Sequence, residues 1–422
     1  MKIGLRVLVL LICVCLAVSA ARAQNAALIE TLQKNHAGIT VKDGKLNGPG
    51  ADVLRPALAE AQFVLMGEDH GVAQIPEFGA ALCAELAPRG FHRLTLEVGP
   101  NTAPELEKFA RSADGVKQLS DFLKKYPETV PFYNWREEFT MLQQCEKSGG
   151  TEGMTLLGVD QEFMGSSGFL LDKVMATNPG PEAAAAIQAL QKENGKARAA
   201  AVKSGNPWDL FMTSAKLEEL KRAHDLLAKQ GSTEAQEQFA ALLVSRDVYL
   251  KNKAADYYNS NRQRALLMKG NFVAPFSQAM QHGPVPPKVL FKFGGMHMFR
   301  GLNPLHSSEL GNLAGEFAEA HGLKSVHILI FGVKGQQARF AGIGKPSQAA
   351  PFDNTSEKDS DFLFLKPLFE NQVVGSWTIH DLRALRTGFS KYGKIDPEFE
   401  RIIFGYDFVV LVPEATASHD IE

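Results

Sequence analysis

A surplus of either charge is missing from this 422-residue chain, in which 45 Lys and Arg stand against 47 Asp and Glu. Without that surplus there is no electrostatic footprint for tracking a nucleic acid or an anionic membrane, so a small molecule or a peptide is the expected partner. Cysteine is scarce, at 4 residues, which excludes a small disulfide scaffold. Long apolar runs are scarce as well. The run from Val7 to Val18 spans about a dozen residues, short of the roughly 20 that a membrane-crossing helix needs, and no second run of that kind follows. The chain also lacks a Walker loop, a His-Glu-x-x-His helix and a Gly-x-Gly-x-x-Gly turn. Gly165-Ser166-Ser167-Gly168 does not have the spacing of a nucleophile elbow, so a serine hydrolase triad has no anchor.

What is present is an ordinary globular composition, 45% hydrophobic and 22% charged, with enough chain to bury a sizeable core. Lys2 and Arg6 precede the run Val7 to Val18, and Ala21-Arg22-Ala23 supplies a small-x-small cleavage site. This reads as a secretory signal peptide cleaved after Ala23, and hence as an exported, periplasmic or secreted protein with no stable membrane insertion. Cys13 and Cys15 leave with it. The mature chain keeps 42 basic residues against 47 acidic ones, a net charge of −5. Cys83 and Cys145 remain, and an oxidising compartment would let them pair. Their apolar helical settings suit buried thiols equally well.

From Ala61 onward, short apolar runs alternate with longer helical patterns, the signature of parallel strands joined by crossover helices. Phe63 to Met66, Arg93 to Leu96, Met154 to Val159, Val289 to Phe293, Val326 to Phe331 and Phe408 to Val412 read as strands. Their continuous apolar character suits a sheet covered on both faces. The expected fold is therefore α/β, a three-layer α/β/α arrangement around a mostly parallel sheet. Residues 24–180 and 260–422 would form this hydrolase-like core. Residues 181–259, rich in Ala, Lys and Glu, read as a helical insertion forming a cap. Gly342 to Asp361 reads as a surface loop.

The chemistry gathers at strand ends. The pattern of an apolar strand followed by Gly-x-x-His occurs twice, ending in Gly67-Glu68-Asp69-His70 and in Gly294-Gly295-Met296-His297. Two further strands run into Glu97 and Asp160. In a parallel sheet the strand ends converge on a ligand crevice, so Glu68, His70, Glu97, Asp160 and His297 are expected to cluster. A neutral imidazole, with an ordinary pKa near ~6.5, can take a proton from water while a carboxylate fixes its tautomer. His70 is the candidate base, with Glu68 or Glu97 orienting it. Arg264 and Arg300 are candidates for the positive charge that a developing oxyanion needs, and Asp160 and Arg300 are candidate substrate contacts. The same Glu68, His70, Glu97 and His297 also make a plausible divalent-metal set, which spacing cannot separate from the metal-free reading. Met296 and Met298 beside His297 would suit haem only weakly, as a Met and His pair is more often core packing.

Leu65-Met66-Gly67-Glu68-Asp69-His70-Gly71 and Gly90-Phe91-His92-Arg93-Leu94-Thr95-Leu96-Glu97 resemble the opening of erythromycin esterase-like proteins. Gly158-Val159-Asp160, the segment from Arg264 to Asn271, Gly295-Met296-His297-Met298 and the terminal strand from Asp407 to Val412 extend that resemblance over most of the mature chain. It implies hydrolysis of an ester or lactone by histidine-activated water without a covalent intermediate and with no required cofactor. It places His70, Glu68, Glu97, Arg264 and His297 in the catalytic roles. One departure stands out. The family usually has two residues between glutamate and histidine, whereas Asp69 stands alone between Glu68 and His70. That spacing is similar to the haem-uptake and Gly-x-x-His metalloprotease-like branches of the same superfamily, which keeps a metal-dependent hydrolase and a haem-binding protein open as alternatives.

Overall fold

The computed structural model describes residues 26–281, 286–358 and 360–421. The stretch read as a signal peptide, with its basic residues and two cysteines, lies outside them. Among the described residues no helix is long and apolar enough to cross a membrane.

Ten strands form one sheet: β1 (His36–Lys42), β2 (Lys45–Asn47), β3 (Ala61–Glu68), β4 (Phe91–Leu96), β5 (Thr155–Gly158), β6 (Lys288–Gly294), β7 (Lys324–Arg339), β8 (Gln348–Asp353), β9 (Trp377–Asp381) and β10 (Phe408–Ala415). Their order is β2-β1-β9-β10-β7-β3-β6-β4-β5, with β8 added to the outer half of β7. The run from β10 to β5 is parallel throughout. These six strands are the ones legible as continuous apolar runs. The antiparallel edge of β9, β1 and β2, and the hairpin partner β8, are not legible that way. Part of the stretch read as a surface loop is thus strand β8, which pairs Gln348 with Arg339 and Asp353 with Lys334. Its residues alternate between exposed and half-buried, so no apolar run marks it.

Alternate side chains of each central strand enter two separate cores. Val64, Met66, Ile328, Ile330, Val410 and Val412 pack on one face under the helices Pro49–Glu60, Gln74–Leu86, Ala103–Arg111 and Arg136–Ser148. Phe63, Leu65, Phe291, Leu329, Phe331 and Leu411 pack on the other, against Phe272 and Phe276 of the helix Tyr257–Gln281, Ala314 of Leu310–Ala320 and Ile402 of Pro397–Gly405. This is the three-layer α/β/α arrangement, and burial on both faces is why the strands read as unbroken apolar runs. A third cluster, with Leu170, Ile187, Leu227 and Phe239, joins the helices Ser167–Ala176, Pro181–Ser204, Leu217–Gln230 and Thr233–Lys253. The helical stretch between β5 and β6 therefore begins at Ser167 and runs on to Gln281, wider than the Ala-, Lys- and Glu-rich texture suggests.

Cys83 and Cys145 are joined by a disulfide that ties the helices Gln74–Leu86 and Arg136–Ser148 together, with 5.1 Å between their Cα atoms. The bond closes a loop of 62 residues. On the chain-entropy account, a loop of that length restricts the unfolded chain by about 4 kcal/mol. Cys83→Ser together with Cys145→Ser is therefore expected to lower unfolding free energy by about 2–4 kcal/mol in a urea titration.

Candidate active site

Four adjacent parallel strands, β3, β6, β4 and β5, end on the same edge of the sheet, where Glu68 is level with Gly294 and Leu96 with both Lys292 and Gly158. That register delivers Glu68 directly, and Glu97, Asp160 and His297 within three residues of their strand ends.

Glu97 is the hub. Its Oε1 accepts from Arg264 Nη2 at 2.7 Å and lies 3.4 Å from His297 Nε2. Its Oε2 accepts the Gly294 backbone N–H at 2.6 Å and lies 3.5 Å from His70 Nε2. A Cβ on Gly294 would come within 2.8 Å of His70 Nε2, so only glycine lets the strand end approach this closely. Burial alone would raise the Glu97 carboxyl, but the His297 and His70 rings hold it well below the usual carboxylate range.

His70 Nδ1 lies 2.8 Å from Glu68 Oε1, and its ring stacks on Phe132 at 3.6 Å with an 8° tilt. Burial pushes the imidazole toward neutrality. The bonds to Glu68 and Glu97 outweigh it and raise the pKa to about 10. His297 is bracketed the same way, between Glu97 and Glu309, whose Oε2 is 3.2 Å from His297 Nδ1. Burial and Arg264 lower its pKa, Glu97 and Glu309 raise it, and the balance is about 9.

Asp160 does not face the cavity. Its carboxylate accepts from Arg264 Nε at 2.9 Å and from Arg264 Nη2, and its own Gln161 N–H closes the set at 2.8 Å. It holds the arginine in place rather than presenting an acceptor to a ligand. Arg264 comes from the third turn of the helix Tyr257–Gln281 and spans Asp160 and Glu97; burial lowers its guanidinium pKa, but the two carboxylates outweigh that and raise it.

Arg300, read as a candidate substrate contact, lies elsewhere. Its guanidinium pairs with Asp407 at 2.7 and 2.9 Å and donates to the Ser325 carbonyl. Ser325 lies near the start of β7 and Asp407 just before β10, so this cluster sits at the opposite edge of the parallel strands from the crevice. The chain turns back after the short helix Gly295–His297, which the tripeptide spacing does not reveal. His327, in the same cluster, is a structural histidine: burial drives its pKa down to about 3, and Nδ1 lies 2.7 Å from the Met298 carbonyl oxygen.

Two buried charges were not singled out in the sequence. Lys292, inside β6 and 2% exposed, places Nζ 2.6 Å from Glu68 Oε1 and 2.8 Å from Glu138 Oε2. Burial raises the Glu68 carboxyl, while Lys292 and His70 lower it, and the net result lies below its ordinary value. Burial and the Glu68 charge push Glu138 up to about 7. The signals were there: Lys292 interrupts an apolar strand, and Glu138 shares a helical face with buried Leu142 and Cys145.

The cluster forms one end of a cavity of about 280 Å³, lined by Glu68, His70, Glu97 and His297 together with Phe299, Leu329, Phe331, Phe362, Phe364 and Ile402. Residues 181–259, read as a cap, do not line it. Its walls come instead from the strand ends, the segment around Phe362–Leu365 and the helix Pro397–Gly405.

Among the described residues no three His, Cys, Asp or Glu side chains converge as a metal-ligand set. Glu68 and Glu97 spend oxygens on Lys292, Arg264 and the Gly294 N–H instead. Met298 is wholly buried in the core, and both His297 nitrogens face glutamates.

No protein-family model and no curated protein matches the chain by sequence. Its structure does have matches. A histidine mutant of the erythromycin esterase EreC, in its open conformation, aligns with a TM-score of 0.60 at 14% identity, covering 92% of this chain and 99% of that one. The fold is that of an erythromycin esterase. A Bacillus cereus protein (TM-score 0.57) and a succinoglycan biosynthesis protein (0.56) align over 94% of this chain and 99% of theirs, each at 14% identity. The erythromycin esterase-like fold thus extends over nearly the whole chain, helical layer included.

Proposed function

We propose that this protein is an exported hydrolase that cleaves an ester or lactone bond with water activated by His70 and without a covalent intermediate. The observation that carries the reading is His70 itself. One ring nitrogen is fixed by Glu68, and the other faces Glu97 at the edge of the cavity. A water beside Nε2 would lose its proton to that nitrogen as its oxygen attacks the carbonyl carbon. The tetrahedral oxyanion would form beside His297, the nearer cation, with Arg264 supporting the charge from behind Glu97. The carbon–oxygen bond to the leaving group then breaks, and the proton on His70 passes to the departing alkoxide, leaving a carboxylic acid and an alcohol. No step in this sequence requires a metal. The disulfide supports export, because such bonds persist in oxidising compartments.

The two histidines set the expected pH dependence. His70 must be neutral to act as base, so with a pKa of about 10 its competent fraction grows about tenfold per pH unit up to that value. His297 must be charged, and it loses its proton above about 9. The enzyme-dependent kcat/KM is therefore expected to follow a bell with its maximum between about 9 and about 10, a macroscopic property of the coupled pair. A plateau reached near pH 7 would contradict His70 as the base.

The deciding experiment is hydrolysis of a panel of esters and lactones, macrolides included, by the mature protein with and without a chelator. Turnover indifferent to chelation is expected. Turnover abolished by chelation and restored by a divalent ion would assign the same side chains to a metal centre.

A further inference from the structure

The cavity that opens on His70 has two unlike ends. Charged groups make its floor, while Phe299, Leu329, Phe331, Phe362, Phe364 and Ile402 make its walls. Phe331 and Phe362 lie with near-parallel rings, 6.0 Å between centroids at 28°. At about 280 Å³ the space holds about nine waters at ~30 Å³ each, just under the ~300–1,000 Å³ of sites for drug-sized ligands. That is room for a ligand of about a dozen non-hydrogen atoms. A macrolide with its sugars is several times larger than this enclosed space.

One wall residue is not apolar. Glu398, on the helix Pro397–Gly405, also lines the cavity, and its Oε1 accepts from Arg401 Nε at 3.2 Å. Its Oε2 is shielded from water and accepts no hydrogen bond among the described residues. The Glu398 side chain as a whole is 39% exposed, and its free oxygen is an acceptor that a ligand hydroxyl inside the cavity can meet.

Resting on the hydrolase reading above, we propose that the substrate is a compact aryl ester carrying a hydroxyl, which Glu398 accepts while the phenylalanine walls hold the ring. The reaction releases a small acid and an alcohol or phenol. A large macrocycle would have to extend well beyond these walls.

The test uses the mature protein and two sets of probes. The first is phenyl acetate with its 2-, 3- and 4-hydroxy derivatives, alongside long-chain phenyl esters and a macrolide, read as kcat/KM. The second is acetanilide with its hydroxy derivatives, amides whose binding calorimetry can follow without turnover. At least one hydroxylated isomer should exceed its parent about tenfold in both sets. Glu398→Ala should bring that ratio to about one, with Glu398→Gln as the shape-preserving control. Phe364→Ala should raise KM about tenfold for all small aryl esters with kcat nearly unchanged. Binding with hydroxyl preference but no ester turnover would overturn the hydrolase reading and leave the ligand class standing. Faster cleavage of the macrolide or of long-chain esters would overturn the ligand class and leave the hydrolase. A hydroxyl preference that survives Glu398→Ala, or no binding of any aryl probe, would overturn the proposal.

Discussion

His70→Ala is expected to lower kcat/KM on any cleavable ester by about 10³-fold, within the 10²–10⁴ range that a positioned general base contributes. Folding should be nearly unaffected. The imidazole is about a quarter exposed at the side chain, and its removal leaves Glu68 paired with Lys292, and Glu97 paired with Arg264 and the Gly294 N–H. The mutant should therefore keep its far-UV spectrum and nearly its urea midpoint while losing turnover. Because Glu68 and Glu97 would keep their charge-neutralising partners, the loss should not be restored by raising the pH. A well-folded mutant within a few-fold of wild type would remove His70 from the mechanism.

Lys292→Met is expected to lower unfolding free energy by about 3–5 kcal/mol, the cost of breaking a buried ion pair by deleting one partner. Lys292 faces two buried carboxylates, Glu68 and Glu138, at 2.6 and 2.8 Å. With the ammonium gone, Glu138 loses its paired cation and Glu68 keeps only His70, so the two buried carboxylates are expected to take up a proton between them. If Glu68 is protonated it no longer stabilises the His70 imidazolium, so His70 becomes neutral at lower pH and the whole bell, its rising limb first, should move to lower pH. Urea denaturation measures the first effect, and the pH profile of residual activity measures the second. Lys292→Arg, which retains the charge, should recover part of both. A methionine variant as stable as wild type would mean that Glu68 and Glu138 are neutralised some other way.

The pairing of large effects at His70 and Lys292 shows which part of the site was legible. His70, Glu68, Glu97 and His297 follow apolar runs that can only be buried strands, and strands covered on both faces put their ends on a shared edge. Arg264 was visible as a cation in a helical segment, but not as the bridge between Glu97 and Asp160. Asp160 was placed correctly at a strand end, yet its orientation toward Arg264 belongs to a contact across 104 residues. Arg300 misleads because the six residues after the end of β6, a short helix among them, are enough for the chain to turn to the opposite edge. Lys292 and Glu138 are each a lone charge in an apolar pattern, and only their meeting explains either one.

The sequence by itself determined the α/β class, the six parallel strands and the edge on which the chemistry gathers, since these follow from local periodicity and from the burial of continuous apolar runs. It left open whether Cys83 and Cys145 pair, because spacing carries no distance. Tertiary structure decided that pairing, the antiparallel edge strands, the charge balance around Glu68 and Glu97, and the cavity walls of Phe331, Phe362 and Phe364. Each of these is a contact between segments far apart in the chain. Such contacts are fixed by how whole layers pack, and no local pattern records them.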